Sequence, residues 1–209
     1  MKQRIFNLVI LDESGSMEII KQQAIDGVNE TVQTIRKAQE KYPEQEHYVS
    51  VVTFNDEVKT VYDCVAANEV KEFDHTNYDP GCCTALYDAM GFSLNALKTK
   101  VAQSDKVLVT IITDGMENAS KEYNNATIRV LVDSLKKRGW IFAYIGANHD
   151  VERVATSISI KNIMSFETSC EGTQVMNSKM SSSRERLYHR IAQSDFDATE
   201  ANINFFEEE

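Results

Sequence analysis

A chain of 209 residues, 42% hydrophobic and 26% charged, with two prolines and eight glycines, suits one compact domain and excludes long linkers or low-complexity tracts. Its formal net charge of −10 opposes a nucleic-acid or anionic-membrane surface, because both contacts rely on clustered Lys and Arg. The adjacent Lys136, Lys137 and Arg138 fall where a helix should end, so they complement a helix dipole rather than form a basic stripe.

In chain order, residues 4–11 are an apolar run with β-branched members and read as a buried strand. Lys2 and Arg4 before it resemble the start of a leader peptide. That run is too short, holds Asn7, and stops at Asp12 with no small-residue cleavage pattern. No stretch approaches membrane-spanning length, and cysteines without metal-ligand spacing fit free thiols in a reducing cytoplasm, so a cytoplasmic protein is expected. A helix follows with Ile25, Val28, Val32 and Ile35 at helical spacing, ending near Lys41 before Pro43. Residues 47–54 and 58–66 are strand-like runs joined by Asn55-Asp56-Glu57, which reads as an antiparallel hairpin.

Residues 68–83 show neither period, and a loop of that length inside a domain is usually functional or disordered. A helix opens at Thr84 with Leu86, Met90, Leu94, Leu97 and Val101 on one face. Residues 106–113 are the most apolar strand and end at Asp114-Gly115. A helix over 126–138 stops at Gly139. Residues 140–146 are a further strand, and Asn148-His149-Asp150 can cap a short helix to about residue 157. The last strand is 162–166, and a final helix over 172–193 presents Met176, Met180, Leu187 and Ile191 inward. Residues 194–209 end in Phe-Phe-Glu-Glu-Glu and read as an acidic tail docked through Phe205 and Phe206.

The alternation predicts an α/β fold: a three-layer, doubly wound, Rossmann-like arrangement over residues 1–193. Its six-stranded sheet is mostly parallel with one antiparallel edge strand, and helices cover both faces. The four cysteines, Cys64, Cys82, Cys83 and Cys170, lack paired metal-ligand spacing. They read as free thiols of a reducing compartment, with Cys82 and Cys83 expected to be buried and structural. The four histidines are scattered and read as surface or loop residues.

Doubly wound sheets bind ligands beyond the carboxyl ends of their strands, where the strand order reverses. Asp12-Glu13-Ser14-Gly15-Ser16 follows the first strand, Asp114-Gly115 follows the most apolar one, and Thr84 opens the helix after the long loop. If those two strands are neighbours, the three clusters converge on one crevice. Taken alone, Asp12, Ser14 and Ser16 suit a nucleophile with its helper, a set of metal ligands, or a helix cap. Glu-Ser-Gly-Ser-Met is not the G-x-S-x-G elbow of hydrolases. A phosphatase would want a second aspartate where Ser14 stands, and no glycine-rich phosphate loop occurs.

The segments D-E-S-G-S (12–16), T-A-L-Y-D-A (84–89) and I-T-D-G (112–115) together resemble the von Willebrand factor A domain and its metal-ion-dependent adhesion site, D-x-S-x-S, then T, then D. The resemblance runs to about Gln193. T-D-G-M-E-N-A-S (113–120) and Y-I-G-A-N (144–148) resemble stand-alone bacterial and prophage-borne members. It implies a Mg²⁺ site, with Mn²⁺ or Ca²⁺ as substitutes, held by Asp12, Ser14, Ser16, Thr84 and Asp114. Ser14 and Ser16 would bind the ion directly, Thr84 when the site is engaged, and Asp12 and Asp114 mainly through waters or the serine hydroxyls. Neutral hydroxyls leave the ion's charge poorly compensated, so an open position favours a carboxylate from a protein partner. The glycine between the serines would let both hydroxyls reach one ion, with Asp88 and Glu117 as outer supports. The implied role is non-enzymatic, metal-dependent protein binding. Service as an adaptor beside an ATPase or in a tellurium-resistance-like complex is an alternative, and metal-assisted hydrolysis is the remote one. Cys82 and Cys83 depart from the small residues that relatives tend to carry before the threonine.

Overall fold

The run from Gln3 to Asp12 forms strand β1 in a computed structural model that describes residues 2–147, 150–193 and 196–207. Eight consecutive buried positions in β1 follow from its place at the centre of a parallel sheet, where both faces are covered and the apolar run need not alternate. β2 (Gln45–Phe54) and β3 (Val58–Ala66) form the expected antiparallel hairpin. β4 (Lys106–Thr113) and β5 (Trp140–Gly146) match the sequence reading residue for residue, and β6 (Asn162–Ser165) is one residue shorter. The sheet has six strands in the order β3-β2-β1-β4-β5-β6. β1 pairs in parallel with both β2 and β4, so the order reverses between β1 and β4. The three polar clusters therefore do open onto one crevice.

Side chains of β1 alternate between two cores. Ile5, Val9 and Leu11 join the core under α1 (Lys21–Lys41) and α5 (Cys170–Ala192). Phe6, Leu8 and Ile10 join the core under α2 (Leu86–Lys98), α3 (Asn125–Lys136) and α4 (Val151–Ser157). The predicted helical stripes are the buried ones: Ile25, Val28, Val32 and Ile35 on α1, and Met176, Met180, Leu187 and Ile191 on α5. A 3-10 turn, Gly15–Ile20, precedes α1 and buries Met17 and Ile20. α3 opens with Asn124 in a reciprocal capping arrangement with Thr127, and Asp150 caps α4 through the Arg153 amide. The neighbouring Asn148 and His149 lie outside the described residues.

Beyond residue 193, α6 (Ala198–Asn204) packs on the sheet. Asn202 donates to the Trp140 carbonyl at 2.8 Å and accepts from the Phe142 amide at 3.1 Å, and Phe205 and Phe206 are buried. Residues 194, 195, 208 and 209 of the expected tail lie outside the described residues.

Two expectations are overturned. His47 is a surface residue by expectation, yet it is fully buried on β2. Its Nε2 lies 3.0 Å from Gln45 Oε1 and its ring meets Tyr188 edge-on. Burial holds its pKa down at about 4, because the charged form would lose hydration. Cys82 and Cys83 are exposed rather than buried, because the loop that carries them binds the rest of the protein through its backbone.

Candidate metal centre

Asp12, the last residue of β1, is wholly buried. One carboxylate oxygen accepts from the Ser14 amide at 2.7 Å and the other from the Thr113 hydroxyl on β4. Burial lifts its pKa to about 6, while the bonds from Thr113 and Ser14 pull the other way. The turn after it brings the Ser14 and Ser16 hydroxyl oxygens to 3.2 Å from each other. Ser16 donates to Asp114 at 2.6 Å. Ser14, Thr84 and Asp114 are buried, while Ser16 is exposed at the mouth.

Gly115 marks where these groups meet. A Cβ placed there would lie 2.8 Å from Thr84 Oγ1, 3.4 Å from Asp12 Oδ2 and 3.5 Å from Ser14 Oγ. Three oxygens from two separate segments, the turn after β1 and the end of the loop before α2, thus face one small volume beside a residue without a side chain. With the Ser16–Asp114 bond, all five sequence-identified positions belong to a single constellation.

The long loop is ordered on the first turn. Gly81 N donates to Glu13 O at 2.8 Å and Gly15 N to Cys82 O at 3.3 Å. The buried Tyr78 hydroxyl donates to Asp12 O at 2.7 Å, and the Asp79 amide bonds the Glu13 side chain. Cys82 sits at φ 64°, in the left-handed region that favours glycine. Its backbone, not its thiol, is what the site uses. Gly15 needs no such freedom: it is absent from the positive-φ positions, and a Cβ there would make only ordinary contacts near 3.7 Å. The reason expected for that glycine is therefore not the one the structure supplies.

Asp88 and Glu117 do not touch the ligand hydroxyls. Asp88 accepts from the amides of Lys121, Glu122 and Tyr123. Glu117 accepts from the Tyr87, Ala119 and Ser120 amides. Together they stitch the segment after β4 to the first turn of α2. Sequence reading missed Thr113, Tyr78 and Asn118. Thr113 was legible as the residue beside Asp114, whereas nothing local marked Tyr78.

Among the described residues, no three His, Cys, Asp or Glu side chains gather to hold a metal. An ion here would depend on hydroxyl oxygens backed by two carboxylates, a hard set suited to Mg²⁺ or Ca²⁺. The oxygen cradle beside Gly115 fits such an ion. Among the described residues, no helix is long and apolar enough to cross a membrane.

A doubly wound sheet with this oxygen-lined crevice at its switch point defines a class of α/β ligand-binding domain. Residues 8–187 match the von Willebrand factor type A domain, and the chain belongs to that family. Solved structures with the same fold include the D319A mutant of the PilB minor pilin from Streptococcus sanguinis, at TM-score 0.59 and 15% identity over 90% of this chain and 63% of that one. Another is proximal thread matrix protein 1 from the mussel byssus with a zinc-occupied MIDAS motif, at TM-score 0.60 and 16% identity over 88% of this chain and 46% of that one. The chain thus spans about half to under two thirds of the length of these structures. Comparison with curated protein sequences gives no match.

Proposed function

We propose that the chain is a non-enzymatic, divalent-metal-dependent protein-binding module. Asp12, Ser14, Ser16, Thr84 and Asp114 hold Mg²⁺, and the ion captures an Asp or Glu carboxylate of a protein partner. The carrying observation is the convergence of Thr84 Oγ1, Asp12 Oδ2 and Ser14 Oγ beside Gly115. The zinc-occupied MIDAS motif named for the mussel protein supports a divalent ion in this family. When bound, the ion supplies an electrophilic anchor for an anionic oxygen.

The two carboxylates favour binding over catalysis. Asp12 accepts from the Ser14 amide and Thr113, and Asp114 from Ser16. Each thereby orients a hydroxyl or a turn. We assign the module to residues 1–193, with 194–209 as its acidic appendage, and to the cytoplasm; four free thiols suit a reducing compartment.

Affinity capture from native lysate, with Mg²⁺ and then with EDTA, tests the reading. A partner retained only with Mg²⁺, and lost with Ser14→Ala, is expected. Identical capture in EDTA, or metal-dependent turnover of phosphate or ester substrates lost in Asp114→Ala, would overturn it.

A further inference from the structure

Thr84 is gripped through its backbone by a residue of the segment that also carries Asp114. The Thr84 amide donates to Asn118 Oδ1 at 3.0 Å. The Thr84 carbonyl accepts from the Asn118 amide at 3.0 Å and from the Ala119 amide at 3.3 Å. On its other side, the Ala85 amide donates to the Asn55 carbonyl at 2.7 Å. Thr84 precedes α2, whose N-cap position, Ala85, makes no side-chain capping bond. Capping is supplied from outside by Glu117 on the Tyr87 amide and Ser120 on the Asp88 amide. The backbone that carries the Thr84 hydroxyl therefore takes its position from residues 117–120, just beyond Asp114, rather than from its own helix.

We propose that Asn118 is a positioning residue of the metal centre: its side-chain carbonyl anchors the Thr84 backbone from which Oγ1 faces the cradle, and so sets both affinity for Mg²⁺ and discrimination against Ca²⁺. The inference rests on the metal-centre reading of Thr84. Mg²⁺ demands near-ideal octahedral geometry at short distances, whereas the larger Ca²⁺ tolerates longer and irregular ones. A threonine whose backbone is held from two sides leaves its hydroxyl less room to retreat for the larger ion than a loosened one does. Outer partners that orient metal ligands commonly alter affinity by about 10- to 100-fold when removed. Asn118 also has a geometric reason to act on the ion rather than on folding. Its backbone amide still bonds Thr84 whatever its side chain, so truncation loses one hydrogen bond at the site and keeps the segment's attachment.

The test is calorimetric titration of Mg²⁺ and of Ca²⁺, separately, into metal-free wild type, Asn118→Ala and Asn118→Asp, with melting temperatures taken in EDTA. Asn118→Asp keeps an acceptor for the Thr84 amide. Asn118→Ala is expected to bind Mg²⁺ at least about tenfold more weakly, to bind Ca²⁺ with a smaller loss, and to melt in EDTA within a few degrees of wild type. Asn118→Asp is expected to restore the preference for Mg²⁺. Equal losses for both ions in Asn118→Ala, unchanged Mg²⁺ binding, or failure of Asn118→Asp to restore the preference would overturn the assignment. Should Asn118→Ala fail to fold, Asn118→Ser takes its place under the same criteria. If wild type itself binds neither ion, the metal-centre reading has failed first, which is a different outcome from Asn118 lacking a role.

Discussion

Ser16 donates its hydroxyl hydrogen to Asp114 over 2.6 Å, a bond between residues 98 positions apart. It closes the turn after β1 onto the turn after β4, across the one place in the sheet where strand order reverses. A carboxylate used in this way aims a hydroxyl at the crevice and leaves the hydroxyl's lone pairs for an ion.

Binding of an ion there should stabilise the fold. At a free Mg²⁺ concentration 100 times the dissociation constant, the gain is about 2.7 kcal/mol. For a chain of this size that is roughly 5–10 °C in melting temperature. Differential scanning calorimetry in Mg²⁺ and in EDTA should show the rise for wild type and lose it in Asp114→Ala, where Ser16 loses its carboxylate acceptor.

Metal-free protein should be limited by Asp12. Its carboxyl is raised from 3.8 to about 6 by burial, so the native state holds a proton more tightly than the unfolded chain between those values. The stabilising contribution is complete below about pH 4 and is lost as pH rises through 6; at pH 7 the loss is on the order of 3 kcal/mol. Asp12→Asn should therefore be more stable than wild type in EDTA at pH 7, by on the order of 1–3 kcal/mol once imperfect hydrogen bonding is allowed for. It should show no Mg²⁺ response. Urea unfolding in both conditions reads both effects.

His47 acts with the opposite sign. Its pKa falls from 6.5 to about 4 in the folded state, so the unfolded chain binds more protons across that window. Stability should drop as pH falls from 6.5 towards 4, by on the order of 3 kcal/mol in all. Because Asp12 opposes this over much of the window, the comparison is made in the Asp12→Asn background. There, His47→Gln should flatten the acid limb of a urea-midpoint profile.

Gly115→Ala should damage the site while sparing the fold. The added methyl would stand 2.8 Å from Thr84 Oγ1, closer than real Cβ contacts allow, and it would fill the oxygen cradle. Gly115 is not among the positive-φ residues, so its backbone accepts alanine. Mg²⁺ affinity should fall at least about tenfold with an EDTA melting temperature within a few degrees of wild type, both measurable on one preparation.

The contrast between what was legible and what was not has a physical basis. β4 and β5 are buried on both faces, so their apolar runs begin and end where burial does, and the sequence marks their bounds to the residue. The five constellation residues were legible because they match a discontinuous family motif, D-x-S-x-S, then T, then D; four of them end or follow strands whose ends the apolar runs mark, and Thr84 opens the approach to α2. Asn118 was not, because it acts through the Thr84 backbone, which has no sequence of its own. Cys82 misled for a related reason: its carbonyl and its left-handed backbone do the structural work, so the exposed thiol said nothing about burial.

The buried polar stripe beneath α5 was also invisible. Arg184 lies on the same helical face as Met180 and Leu187, wholly buried, donating to Thr110 at 2.7 Å. Tyr188 donates to Asn7 at 2.6 Å, and Gln45 to the Tyr188 carbonyl at 2.7 Å. Each polar residue interrupts an apolar pattern singly. Only their juxtaposition across three strands and a helix supplies these bonds, and periodicity along one segment carries no information about that.

The most direct measurement is calorimetric titration of Mg²⁺ into EDTA-treated, re-dialysed protein, wild type beside Ser14→Ala. One saturable site in wild type, absent from a Ser14→Ala protein that melts normally in EDTA, is the expected result. No binding to wild type, or the same isotherm for both proteins, would contradict a metal centre built on Asp12, Ser14, Ser16, Thr84 and Asp114.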